Sequence, residues 1–173
     1  MWYNEILIMK KPKPIITENL RKNVDFTFPI ELELEGFSVS VNHLYGKSKF
    51  GVYMKRAGKE LRYSTMKSIC SQLDIPYTDK LPKGKSVGEV IFNYENKPLR
   101  DKMLRVTYVF HSRWLTLEGD ILISDSDNRI KFIQDCIFDS LNIDDCTLFE
   151  TYSKKIHEPD SSKYKIKVLI SCI

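Results

Sequence analysis

No apolar run in the chain approaches the roughly 18 residues of a membrane-spanning helix, so a helical membrane protein is not expected. The first residues, Met1 to Lys13, put the short apolar stretch Ile6 to Met9 ahead of the lysines, the reverse of a secretory signal. The chain is therefore expected to remain in the cytosol. Its four cysteines, Cys70, Cys136, Cys146 and Cys172, include no close pair of the zinc-binding or redox kind. Buried or idle thiols are expected instead. There is no internal repeat.

What is present is an ordinary globular composition: 173 residues, 42% hydrophobic and 29% charged, enough chain to bury a real core. A single domain over residues 26–173 is expected, preceded by an extension, residues 1–25, in which Lys-Lys-Pro-Lys-Pro cannot continue a helix. The net charge of +4 is unevenly spread. Glu118 to Asp160 holds 11 acidic and 4 basic residues out of 23 acidic and 27 basic in all, so a segment of net −7 is embedded in a remainder of net +11. Such a distribution fits a solvated acidic surface, and it fits a cation site beside a phosphate-binding surface.

Periodicity sets the elements. Ile30, Leu32 and Leu34 alternate with Glu31, Glu33 and Glu35, the pattern of a half-buried strand, and Ser38 to Gly46 reads as a loop. Leu61, Thr65, Ile69 and Leu73 recur at helical spacing, predicting a helix from about Gly58 that stops before Pro76. Pro76 to Lys85 reads as a loop, Val87 to Tyr94 as a weak strand and Leu104 to Trp114 as a strong one. Asp125 to Asn128 supplies four N-cap types ahead of the stripe Ile130, Ile133, Ile137, Phe138 and Leu141, predicting a second helix that ends near Asn142. Two more strands, Cys146 to Ile156 and Tyr164 to Ile170, complete an α+β fold: one mixed, largely antiparallel sheet on about two helices.

On the second helix Asp127, Lys131 and Asp135 are spaced four apart, within about 80° of arc. Asp125 lies just outside the helix. Asp144 and Asp145 follow it, where a helix-to-strand return can bring Asp145 back. Crowded carboxylates stay ionised only beside positive charge, which a hard divalent cation supplies; oxygen-only ligation favours Mg2+ or Mn2+. Helix capping, a surface ion pair and an Asp-Asp turn account for the same residues without an ion. An EF-hand does not fit, because Arg129, Ile130 and Cys136 stand where that pattern needs an oxygen ligand, Gly and Glu.

The run Asp125-Ser-Asp127-Asn128-Arg-Ile-Lys131-Phe-Ile-Gln-Asp135, followed by Asp144-Asp145, resembles the signature of the RusA family of Holliday-junction resolvases. Upstream, Ser40-Val-Asn42-His43 resembles the family's loop after the first strand, and Gly58 with Tyr63 the start of its first helix; the likeness runs from about Ile30 to Ile170. The resemblance implies that Asp125, Asp127 and Asp145 bind Mg2+, with Mn2+ able to substitute, and that Lys131 is the catalytic lysine. It implies supporting roles for Asn128, Asp135 and Asp144. The family, commonly phage- or prophage-borne, acts as a homodimer that makes paired nicks across a four-way DNA junction.

The sequence departs from that pattern in the stretch before Asp125, which is arginine-rich in the family but here is Gly119 to Ser124 without a basic residue. A substitute is sought between Lys47 and Lys67, where seven basic residues and one acid, Glu60, are interleaved with Phe50, Tyr53 and Tyr63. Asn42, Lys47, Lys49, Lys55, Arg56, Lys59 and Arg62 are the residues expected to meet DNA, with exposed aromatics stacking on unpaired bases. Equally, Phe50 and Tyr53 can be core and the lysines mere solubilisers. His43 and His111 are expected to be structural. The alternatives are a nuclease for other branched DNA and a DNA-binding protein without catalysis.

Overall fold

Strand β1, Ile30–Glu35, buries Ile30, Leu32 and Leu34 and exposes the three glutamates between them, as alternation requires when only one face is covered. A computed structural model describes residues 26–35, 44–78, 83–91, 99, 101–122 and 127–173, and only the backbone at 91, 127 and 128. After β1 come β2 (Tyr45–Ser48), β3 (Gly51–Met54), α1 (Arg56–Gln72), α2 (Val87–Ile91), β4 (Leu104–Ser112), α3 (Asp127–Leu141), β5 (Leu148–His157) and β6 (Lys165–Cys172).

Four strands form one sheet in the order β1-β6-β4-β5, and β2 pairs with β3 in a separate hairpin. Strand β6 is antiparallel to both neighbours, whereas β4 and β5 run parallel, so the sheet is mixed. Val106, Tyr108 and Phe110 of β4, with Ile166, Val168 and Ile170 of β6, join the β1 side chains in one core with Met66, Ile69 and Cys70 of α1 and Ile133, Ile137 and Leu141 of α3. On the opposite face of the sheet, Glu33 reaches Lys165 at 3.0 Å and Lys167 at 3.8 Å; these exposed pairs favour the β1–β6 register but contribute little energy. Among the described residues no helix is long and apolar enough to cross a membrane.

Two stretches differ from expectation. Val87–Ile91 is helical, not a strand, because Ser86 and Glu89 form a reciprocal capping box: the Glu89 backbone N–H donates to Ser86 Oγ at 3.1 Å and the Ser86 N–H donates to the Glu89 carboxylate at 2.9 Å. The expected loop Ser38 to Gly46 runs into strand β2 from Tyr45, while residues 36–43 lie outside the described set. Ser48 pairs with Gly51, whose φ of 120° closes the hairpin, and the Tyr53 ring lies over Gly46, so a side chain there would displace the ring.

Glycine also sets how closely α2 approaches α3. A Cβ on Gly88 would stand 2.5 Å from the backbone nitrogen of Asn142 and 2.6 Å from the carbonyl oxygen of Asp139, neither of which can swing aside. Gly88→Ala is therefore expected to destabilise by about 1–3 kcal/mol despite alanine's better helix propensity. Urea denaturation of both proteins checks this; an unchanged midpoint would mean that α2 does not press on the end of α3.

Candidate functional site

Helix α3 carries two stripes. Ile133, Ile137 and Leu141 enter the core, and Lys131, Asp135 and Asp139 run beside them along its edge. Asp127 opens the helix with Asn128 after it, only their backbones being described, and Asp125 lies outside the described residues. Lys131 is exposed and Asp135 half-buried.

Asp135 is the electrostatic centre of the described part. Burial raises its carboxyl pKa above the ordinary value; the Arg62 guanidinium of α1 and the Lys131 ammonium oppose that shift, and the Asp145 carboxylate adds to it. Asp145 thus returns to within electrostatic reach of Asp135. It does so on the 3-10 turn Asp145–Thr147, which Asp144 caps by accepting from the Cys146 N–H at 3.2 Å. Arg62 itself forms an ion pair with Asp139, one turn beyond Asp135, and so clasps α1 to α3.

Two phenols close the inner side. Tyr45 of β2 is half-buried and its pKa is raised first by burial and then by Asp135. Tyr108 of β4 is fully buried, its pKa is raised by burial and by Asp135, and its hydroxyl has no hydrogen-bond partner among the described residues. The Cys136 thiol, also buried, is pushed up to about 12 by burial, so it stays protonated at neutral pH. The donors on this face are carboxylate oxygens, which suit a hard divalent cation rather than zinc. Among the described residues no three of His, Cys, Asp and Glu are grouped to hold a metal ion; Asp125 and the side chain of Asp127 stand outside that set.

The residues expected to meet DNA divide. Lys47, Lys49, Lys55 and Lys59 are exposed and have no ion pair among the described residues. Arg56 pairs with Glu60 at 2.7 Å on the surface, Arg62 is turned to Asp139, and Asn42 lies outside the described residues together with His43. His111 projects from the face of β4 opposite Tyr108, lining a cavity of about 630 Å3 with Glu33, Glu35 and Glu158, away from the acidic stripe. Asp139, Arg62, Tyr45 and Tyr108 were not read as neighbours of the site from sequence. Only Asp139 left a signal there, as the next step of four after Asp135. A scan against protein-family models finds no match for the chain, and a search of curated proteins finds none.

A carboxyl whose pKa is raised by folding binds protons more readily in the folded state than in the unfolded one. Stability associated with it is greatest below the unfolded pKa and is lost as pH rises through the folded one. Asp135→Asn is thus expected to raise Tm at pH 7 in EDTA, with the gain vanishing below about pH 4, where the wild-type carboxyl is protonated in both states. Thermal melts across pH check it; a lower Tm at pH 7 would mean that the attraction of Arg62 and Lys131 outweighs burial.

Proposed function

We propose that the protein is a Mg2+-dependent endonuclease of the RusA kind that cuts phosphodiesters in branched DNA, acting as a homodimer in the cytoplasm of a bacterial or phage-infected cell. The observation that carries this reading is the half-buried Asp135 on the rim of α3, held towards protonation mainly by burial and to a lesser degree by the Asp145 carboxylate, beside the cations Lys131 and Arg62. Carboxylates near enough to repel one another on an exposed rim are the arrangement that a divalent cation relieves. In this reading Asp125, Asp127 and Asp145 would hold Mg2+, or Mn2+ in its place. When bound, such an ion supplies Lewis acidity at a phosphodiester oxygen and a water acidified towards neutral pH.

The chain's own groups do the rest. Lys131, exposed on the same helical face, contacts the scissile phosphate and stabilises the negative charge that develops there. Asp135 and Arg62 set the field around that lysine, Asp144 fixes the turn that presents Asp145, and a supporting role for Asn128 rests on the resemblance alone. Two centres in a dimer account for paired cuts. The four-way junction is named by the resemblance alone, so flaps and forks are the competing substrates of the same chemistry.

A second reading, a DNA-binding protein without catalysis, is favoured by one observation: the Arg62–Asp139 pair neutralises part of the acidic row without any ion. Cleavage of matched junction, fork and linear duplex separates the two. Mg2+ or Mn2+ is expected to support nicking and EDTA to abolish it, with Asp145→Asn and Lys131→Ala each slowing it about a hundredfold or more. Asp127→Asn cutting at the wild-type rate would sink the catalytic assignment. Calorimetry showing no Mg2+ uptake would leave the binding reading standing.

A further inference from the structure

The β2–β3 hairpin leaves large apolar side chains in water. Phe50, at the turn, is 89% exposed, Val52 67% and Tyr53 53%. The base of the hairpin is anchored: Tyr45 and Met54, a cross-strand pair, pack against the core, and the Lys55 N–H donates to the Leu44 carbonyl at 2.8 Å. Gly58 lets α1 sit tight against this base, since a Cβ there would stand 2.8 Å from the Leu44 carbonyl oxygen. The tip beyond stands out from the fold, with the Lys49 ammonium 5.0 Å from the centre of the Phe50 ring.

Charge says what such a ribbon can meet. From Lys47 to Lys59 there are five basic residues and no acid, and Lys47, Lys49, Lys55 and Lys59 are exposed without ion pairs among the described residues. A polyanion is the complementary partner, and an exposed ring flanked by ammonium groups adds a face on which a planar base can stack. The position fits the same partner, because Tyr45 at the hairpin base feels the charge of Asp135. Ser48, at the end of β2, stands roughly 10 Å along the strand from Tyr45, and Phe50 lies in the turn just beyond, within the span of a few nucleotides.

We propose that this hairpin is a base-stacking finger: Phe50 takes an unpaired base of branched DNA while Lys47, Lys49 and Lys55 hold the flanking phosphates. The proposal rests on the reading that the chain acts on branched DNA, and it names the feature recognised as an unpaired nucleotide at the branch. A side chain standing in solvent contributes almost nothing to the fold, so Phe50→Ala is expected to keep the wild-type Tm.

The test is binding in EDTA, where no cleavage occurs, of a labelled duplex with a central unpaired bubble and of the fully paired duplex of equal length. Wild-type protein is expected to prefer the bubble about tenfold, the scale of one stacked base. Phe50→Ala should lose that preference while keeping duplex affinity and salt dependence. Lys49→Ala should weaken both complexes alike and lower the salt slope by about one. A Phe50→Ala protein that keeps the preference overturns the finger, as does a wild type with none. So does wild-type binding to vesicles of anionic phospholipid that Phe50→Ala abolishes, if DNA binding is unchanged. Preference for the bubble in a protein that never cleaves would sink the endonuclease and leave the finger.

Discussion

Ile133, Ile137 and Leu141 cannot be buried without drawing the neighbouring stripe of α3 to the rim of the core, and that stripe is Lys131, Asp135 and Asp139. Apolar burial of this kind contributes about 1.5–3 kcal/mol per side chain, enough to hold a carboxylate where water only partly reaches it. The remaining features answer that constraint. Arg62 crosses from α1 to Asp139, Tyr45 and Tyr108 wall the inner side, and Asp145 returns on a capped turn. The raised pKa of Asp135 registers the balance: burial is the largest influence, and the two cations do not cancel it.

Elements whose pattern is set by one packing surface were legible in the sequence. The alternation of β1, the apolar density of β4 and the stripe of α3 each bury the face that their period marks. What was missed depends on partners distant in the chain or on backbone chemistry that overrides propensity. Val87, Val90 and Ile91 favour a strand by composition, yet the Ser86–Glu89 box and the pressure of Gly88 on α3 make that stretch helical. The hairpin turns on Gly51 at positive φ and on Ser48, whose Oγ accepts from the Phe50 N–H at 3.2 Å, weak signals in a stretch that otherwise reads as part of a basic surface. The four-residue spacing of Asp127, Lys131 and Asp135 was readable; the clasp from Arg62, 77 residues from Asp139, was not.

Arg62 also sorts the basic residues. By turning to Asp139 it leaves the set available to phosphate, and Arg56 is half-spent on Glu60 in an exposed pair that contributes little. Lys47, Lys49, Lys55 and Lys59, without an ion pair among the described residues, lie on the hairpin and the first turn of α1, the region that also exposes Phe50, Val52 and Tyr53; Lys67 is exposed further along α1. The basic residues of the Lys47–Lys67 segment thus differ: Arg62 braces the acidic row, and the lysines of the hairpin face outward.

This separation bears on how a nucleic acid would be gripped under the proposed reading. Gly119 to Ser124, before Asp125, has no basic residue to follow a backbone past the carboxylates, so phosphate contacts near a cut would fall to Lys131. Grip would then be supplied from a different element, whose base at Tyr45 lies within electrostatic reach of Asp135. Because the hairpin contributes nothing to the core beyond its base, its tip can change in sequence without disturbing Asp135 or Asp145. Substrate choice and bond cleavage would then rest on separate parts of the fold, with selectivity set by what the exposed ring at position 50 can stack on and chemistry by the rim of α3.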